Sequence, residues 1–218
     1  MIASFALSIL LASSQVGPRL PKDAIVLFDG KGTSAWLDWD TSKPCRWPVK
    51  LGSLEVNVGT SDIFTKRQFG DYRLHVEFWL PRMPKMKGQN RANSGVFNQG
   101  RYEVQVLDSW NNPTYRFGGC GAIYGQKDPD RNSIRPPETW NAYDILFRAP
   151  QFDSTGKLIT RPRISVWQNG IKIHDDVEIV KALEWYALEG PIPPKGPIRL
   201  QNHYCPVRYR NIWIVPLS

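Results

Sequence analysis

At 218 residues with 41% hydrophobic content, the chain can bury one sizeable core, and a single domain is the expectation. Its net charge is +8, yet the basic residues are scattered without the organised stripe that nucleic acid requires, so no nucleic-acid partner is expected. Nine Trp, eight Tyr and nine Phe, with 17 Gly and 18 Pro as punctuation, suit many short strands better than long helices.

The chain begins MIASFALSILLASSQVGPRLPKD. Ile2 to Ala12 is apolar and Ala12-Ser13-Ser14 reads as a small-residue cleavage site, although no Lys or Arg precedes the run. Residues 1–14 therefore read as a signal peptide, and 15–218 as one exported domain, periplasmic, extracellular or envelope-associated. No other stretch is long and apolar enough for a transmembrane helix.

Strand candidates follow in close succession. AIVLF (24–28) leads into a turn-rich link. SLEVNV (53–58) alternates. In DYRLHVEFWL (71–80), Tyr72, Leu74, Val76 and Phe78 face one way, and Arg73, His75, Glu77 and Trp79 the other. RMPKMKGQNR (82–91) holds four cations and no anion and reads as a solvated loop. SGVFN (94–98) and YEVQVLD (102–108) form an expected antiparallel pair. Residues 110–140 are a long Gly/Pro/Asn-rich insertion, read as ordered and as part of a site wall. AYDILFRA (142–149) follows. RISVWQ and IKIHDD flank Asn169-Gly170, a strong hairpin signal. IVKALEWYALEG (179–190) hints weakly at a helix. GPIRLQNHY and VRYRNIWIV end the chain as two more strands. About ten strands without alternating helices predict an all-β antiparallel sandwich of the jelly-roll kind.

Three of these strands place unusual groups on their non-core face: His75 and Glu77, then Glu103 and Gln105, then Gln201 and His203. Carboxylates, amides and imidazoles suit sugar hydroxyls, and the expectation is that the three faces coincide. Cys45, Cys120 and Cys205 are odd in number, match no metal spacing and leave the disulfide state open. Nucleotide and phosphate loops, HExxH, CxxC and GxSxG are absent.

Six segments in fixed order carry a resemblance: IVLFDGKGTSAW, NSGVFNQGRYEVQVLDSW, CGAIYGQKDP, PPETWNAYDI, WQNG and GPIRLQNHYCPVRYRNIWI. Over residues 24–217 the chain resembles the 3-keto-disaccharide hydrolase domain family. The resemblance implies a concanavalin A-like lectin/glucanase jelly roll, export, and cleavage of 3-keto-glycosides and 3-keto-disaccharides. The ketone at C3 acidifies the C2 hydrogen, a base removes it, the enolate expels the C1 substituent, and water adds to the enone. This needs a base, a group that stabilises the enolate, and an acid for the leaving group. No cofactor is required, although a divalent metal is possible. An upstream sugar 3-dehydrogenase is the implied supplier of substrate.

Carried over by motif, Glu103 and His203 are the candidate bases, the latter of a residue type that titrates near neutrality. Arg210 is the candidate enolate stabiliser or orienter of Glu103. Glu77, Asn93, Gln105, Asp108, Tyr124, Trp140 and Gln201 are candidate substrate contacts. The chain departs from the family pattern in YRNI for FRNI, in Cys205 and in the basic loop. Two rivals remain. A non-catalytic carbohydrate-binding module is compatible with the fold. A retaining β-glycanase carries E-x-D-x-x-E, but here the spacing reads Glu103-Val-Gln105-Val-Leu-Asp108, with the helper and the acid both changed.

Overall fold

The computed structural model describes residues 18–40, 42–180 and 192–217. The strands β1 (Ile25–Phe28), β2 (Trp36–Asp38), β3 (Val49–Lys50), β4 (Ser53–Glu55) and β5 (Ile63–Thr65) come first. After β6 (Tyr72–Trp79), a single 3-10 turn at Gly88–Asn90 leads into β7 (Asn93–Asn98) and β8 (Tyr102–Leu107). The long insertion connects to β9 (Trp140–Arg148), the pair β10 (Gln151–Phe152) and β11 (Leu158–Thr160), and the hairpin β12 (Arg163–Gln168) and β13 (Ile171–Glu178). β14 (Arg199–Leu200) and β15 (Arg208–Pro216) close the chain.

Two antiparallel sheets pack face to face, so the fold is the β-sandwich expected from the sequence. The larger has the order β13-β12-β9-β6-β15-β4-β3 with β1 also on β15, and the smaller runs β2-β5-β14-β7-β8. The alternation explains the packing. Tyr72, Leu74, Val76 and Phe78 of β6 are all within 1% of full burial, as are Val104 and Val106 of β8. Each large apolar side chain removed from water in this way contributes about 1.5–3 kcal/mol. At the β12–β13 hairpin, Asn169 (φ 55°) and Gly170 (φ 81°) both occupy the left-handed region that a two-residue turn of this kind demands.

Polar bonds cross the core and hold the small sheet in register with the large one. Tyr143 donates its hydroxyl to Gln105 O at 2.6 Å, and Tyr72 to Asn98 Oδ1 at 2.9 Å. Ser94 Oγ donates to Gln201 O at 2.6 Å and lies 2.6 Å from Tyr209 Oη. The insertion is ordered and covers the exposed edge of β8. Gln105 N donates to Ala122 O, Gly121 N to Gln105 O, and Tyr124 N to Glu103 O. This pairing blunts an otherwise open sheet edge.

One expectation needs adjusting. GPIRLQNHY is a strand only over Arg199–Leu200, because from Asn202 onward the backbone bonds to loop groups instead of a neighbouring strand. The signal-peptide segment 1–14 lies outside the described residues. So does the suggested helix at 179–190, apart from Ile179 and Val180 just beyond β13. Cys45, Cys120 and Cys205 are free thiols. Among the described residues no helix is long and apolar enough to cross a membrane.

Candidate active site

The outer face of the small sheet carries a pocket of about 160 Å³ lined by Gln89, Asn93, Glu103, Gln105, Tyr115, Tyr124, Gln201 and His203. A water molecule takes roughly 30 Å³ of liquid, so the space is that of one sugar ring. Glu103 and Gln105 come from β8, which points Tyr102, Val104 and Val106 inward and must therefore point them outward. Asn93 comes from the neighbouring β7, and Gln201 and His203 follow β14.

Glu103 sits in a socket made by a glycine. Gly95 and Phe97 lie on the paired strand beside it, in register with Gln105 and Glu103. A Cβ on Gly95 would collide with Glu103 Oε1 and reach Glu103 Cδ at 3.0 Å. That Cβ would also press on the buried Phe97 ring at 2.9 Å, so Gly95→Ala is expected to displace the carboxyl, lower kcat/KM about 100-fold and lower the melting temperature. Unaltered kinetics in a correctly folded variant would show that the socket does not matter.

Burial pushes the Glu103 carboxyl up to about 8, against a pull downward from Arg199 and with a further push from Asp62. The nearby cation helps little because it is already engaged. Arg199 binds Asp62 through Nε at 2.7 Å and Nη2 at 2.5 Å, and its guanidinium lies 4.0 Å from the Trp39 ring and 4.9 Å from Phe97. The result is a carboxyl that is largely protonated at neutral pH and strongly basic once ionised.

His203 is half-buried at the pocket rim, and the residue before it anchors it. Asn202 N donates to Asp62 Oδ1 at 2.7 Å, and its side-chain amide donates to Asn57 O and Thr60 O. Tyr204, with φ 58°, then turns the chain away. Opposite stand Tyr115 and Tyr124, whose hydroxyls are hydrogen-bonded to each other and whose rings meet edge to face at 6.3 Å.

The amides form a directed network. Gln89 Nε2 donates to Gly118 O at 2.7 Å and Thr114 Oγ1 at 2.8 Å. Its Oε1 accepts from Asn93 Nδ2 and from Gln105 Nε2, both at 3.1 Å. Asn93 Nδ2 also donates to the backbone oxygen of Gln89 at 2.8 Å. Asn93 Oδ1 and Gln105 Oε1 are buried and have no protein partner.

Six of the ten residues singled out in the sequence thus line one pocket: Asn93, Glu103, Gln105, Tyr124, Gln201 and His203. The other four do not. Asp108 is held by Arg91, with Nε–Oδ2 at 2.8 Å, and accepts from Trp110 N at 3.1 Å, so it caps the turn into the insertion. Glu77, Arg210 and Trp140 lie on the outer face of the opposite sheet. There Arg210 Nε binds Glu77 Oε2 at 2.7 Å and its guanidinium sits 4.0 Å from the Trp140 ring. Arg210 therefore cannot orient Glu103, and the polar face of β6 does not join those of β8 and β14. The reason is topological: β6 and β8 belong to different sheets, so their outward faces point away from each other.

The far face has its own closed network. His75 Nδ1 is 2.7 Å from Asp144 Oδ1, and Asn211 donates to Glu77 Oε1 at 2.9 Å. Asn211 sits at a bulge in β15 with φ 47°, which turns its side chain toward both partners. Burial acts to lower the His75 pKa, but the bonds to Asp144 and Glu77 outweigh it and hold the imidazole above its ordinary value. Burial likewise acts to raise Glu77, and His75, Asn211 and Arg210 outweigh it and hold the carboxyl below its ordinary value. His75 and Glu77 are both fully buried, on the opposite sheet from the pocket.

Gln89 and Tyr115 were not legible as site residues. Both belong to loops that reach the pocket only when the chain folds back over β8, and their one sequence signal is proximity to the family-like motifs. A divalent metal would find one carboxylate and one imidazole in the pocket. Among the described residues no group of three or more His, Cys, Asp and Glu is arranged to hold an ion. The donor set is weak for a divalent cation, and the chemistry below uses the chain's own groups.

Comparison with known proteins bears on the family and the fold. Residues 23–215 match the 3-keto-alpha-glucoside-1,2-lyase-like domain. A candidate glycosyl hydrolase from Parabacteroides distasonis ATCC 8503 is 38% identical, with all of each chain covered and a TM-score of 0.83. Two further candidate glycosyl hydrolases from the same organism share the fold. One is 18% identical, with 90% of this chain and 94% of that chain covered and a TM-score of 0.68. The other is 23% identical, with 89% and 99% covered and a TM-score of 0.60. No curated protein matches the sequence.

Proposed function

The chain belongs to the 3-keto-alpha-glucoside-1,2-lyase-like domain family, and from that premise we propose that it is a carbohydrate-processing enzyme cleaving 3-keto-glycosides by elimination. The observation that carries this reading is the lone, desolvated carboxyl of Glu103 in a pocket sized for one ring. Direct displacement with retention needs two carboxyls about 5–5.5 Å apart. Among the described residues Glu103 is the pocket's one carboxylate, and Asp108 is tied to Arg91. Elimination needs a single strong base, and burial makes Glu103 one.

In this reading ionised Glu103 takes the C2 hydrogen as a proton, and the electron pair moves into the C2–C3 bond to give an enolate oxygen at C3. One of the Tyr115 and Tyr124 hydroxyls donates to the other, and the pair's second O–H is the donor assigned to that oxygen. The enolate collapses, the bond from C1 to the leaving oxygen breaks, and His203 at the rim delivers a proton to it. Water then adds to the enone, completing a net hydrolysis. The substrate comes from a sugar 3-oxidation step, and the exported location expected from the N-terminus remains part of the proposal.

Two measurements test this. Purified protein is given a 3-keto-glucoside and the same glucoside unoxidised; only the ketone is expected to turn over, and equal turnover would refute the elimination. The pH profile assigns the base. Glu103 must be ionised and His203 protonated, so kcat/KM is expected to be bell-shaped, with a rising limb set by Glu103 near 8 that Glu103→Gln removes. A profile without that rising limb would make Glu103 the acid and reverse the two roles.

A further inference from the structure

We infer that Tyr204 determines leaving-group specificity: its ring is a platform just outside the pocket, and it favours glycosides whose leaving group presents a ring face over those that lose a small alkyl alcohol. The inference rests on the reading of His203 as the donor to the leaving oxygen.

The pocket, about 160 Å³, has room for one ring, so the rest of a glycoside lies outside it. The leaving group sits on the side where its oxygen takes a proton, which is the His203 rim. The next residue in the chain presents an aromatic ring there. The rings of His203 and Tyr204 meet edge to face, with centroids 6.4 Å apart. His203 lines the pocket, whereas Tyr204 is 78% exposed.

Folding does not account for a tyrosine at this position. With most of its surface in solvent, the side chain adds little to the core. Its φ of 58° lies in the left-handed region, which suits Gly or Asn and disfavours a bulky aromatic. Such outliers gather where function holds them. The turn itself is made by neighbours. Tyr204 N donates to Asn202 Oδ1 at 3.0 Å, and Asn202 is anchored to Asp62, Asn57 and Thr60. On the other side Cys205 and Val207 are buried in the core, and Val207 N donates to Cys205 O at 2.8 Å. The backbone is therefore pinned on both sides of the exposed ring, and a platform held in this way gives up little freedom when a second ring settles on it. A tyrosine face accepts the C–H face of a sugar or the face of an aryl group alike, whereas a methyl group covers little of it.

The test compares three 3-ketoglucosides, whose leaving groups are methanol, phenol and a second glucose. Each protein is scored by its kcat/KM for a ring-bearing substrate divided by its kcat/KM for the methyl one, so leaving-group acidity cancels between variants. Tyr204→Asn removes the ring and suits the left-handed backbone, and it is expected to lower this ratio about 10-fold. Tyr204→Phe keeps the ring and is expected to keep the ratio. A fall confined to the phenyl substrate assigns the platform to aryl alcohols, and one confined to the disaccharide assigns it to sugars. An unchanged ratio in Tyr204→Asn overturns the inference even if every rate drops, since Tyr204 would then only support His203. Failure of the elimination reading looks different: the unaltered protein turns over none of the three ketones. Calorimetric titration with unoxidised methyl and phenyl glucosides then decides the matter. The unaltered protein is expected to bind the phenyl glucoside about 10-fold more tightly, and Tyr204→Asn to bind the two alike. Equal affinities in the unaltered protein would overturn the inference.

Discussion

Glu103→Gln is expected to abolish most activity and to make the protein more stable in alkali. The carboxyl supplies the base, and its loss costs about 10²–10⁴-fold in kcat. The same group destabilises the folded state when ionised. Its folded pKa of about 8 lies above the ordinary carboxylate value, so the stability it contributes is full below about 4.5 and is lost as pH rises through about 8. The loss is on the order of 4 kcal/mol. Urea unfolding of Glu103→Gln and the unaltered protein at pH 4.5 and pH 9 should therefore agree at the lower pH and diverge at the higher, with the variant more stable. Equal stability at pH 9 would mean that Glu103 is not held in a desolvated site, and the argument for its basicity would fail with it.

Arg210→Met is expected to do the reverse. On the outer face of the large sheet it strands Glu77, which is fully buried, without its guanidinium. Removing one partner of a buried pair costs about 3–5 kcal/mol. Catalysis should not change, because Arg210 sits on the opposite side of the sandwich from Glu103. Denaturant midpoints should fall while kcat and KM at a permissive temperature stay within about twofold. A double variant, Glu77→Gln with Arg210→Met, should recover part of the loss, since the orphaned charge is gone. A large fall in kcat in the folded single variant would return Arg210 to the catalytic machinery. The pH window of this network follows from its two shifted groups. His75 is raised, so its stabilisation is full below the ordinary histidine value and is lost as pH rises through the folded value. Glu77 is lowered, so its stabilisation is present above the ordinary glutamate value and is lost as pH falls through the folded one.

The contrast between these two residues shows what the sequence discloses. Alternation in β6 and β8 correctly sorted inward from outward residues, because the period of two is a local property of the strand. Asn169-Gly170 marked its hairpin for the same reason. Local period does not say which of two sheets a strand joins. By strand phase alone Glu77 and Glu103 were expected on one face, the first as a substrate contact and the second as a base, yet the pairing of β6 with β9 and β15 sends Glu77 to the far face. Glu103, Gln105, Gln201 and His203 were legible because strand phase and the family resemblance agreed on them. Gln89 was not, since its importance comes from a loop closing over the sheet and meeting two amides distant in sequence. Asp108 was recognisable as a turn residue by type, but its partner Arg91 lay hidden in a stretch that read as a solvated basic loop.

Cleavage by elimination requires the C2 hydrogen to leave the sugar. A 3-keto-glucoside deuterated at C2 measures it directly. Elimination gives a primary isotope effect on kcat/KM with loss of deuterium to solvent, and a hydrated product carrying solvent hydrogen at C2. Product that keeps its deuterium at C2, with no isotope effect, would rule out elimination and point to direct displacement at C1.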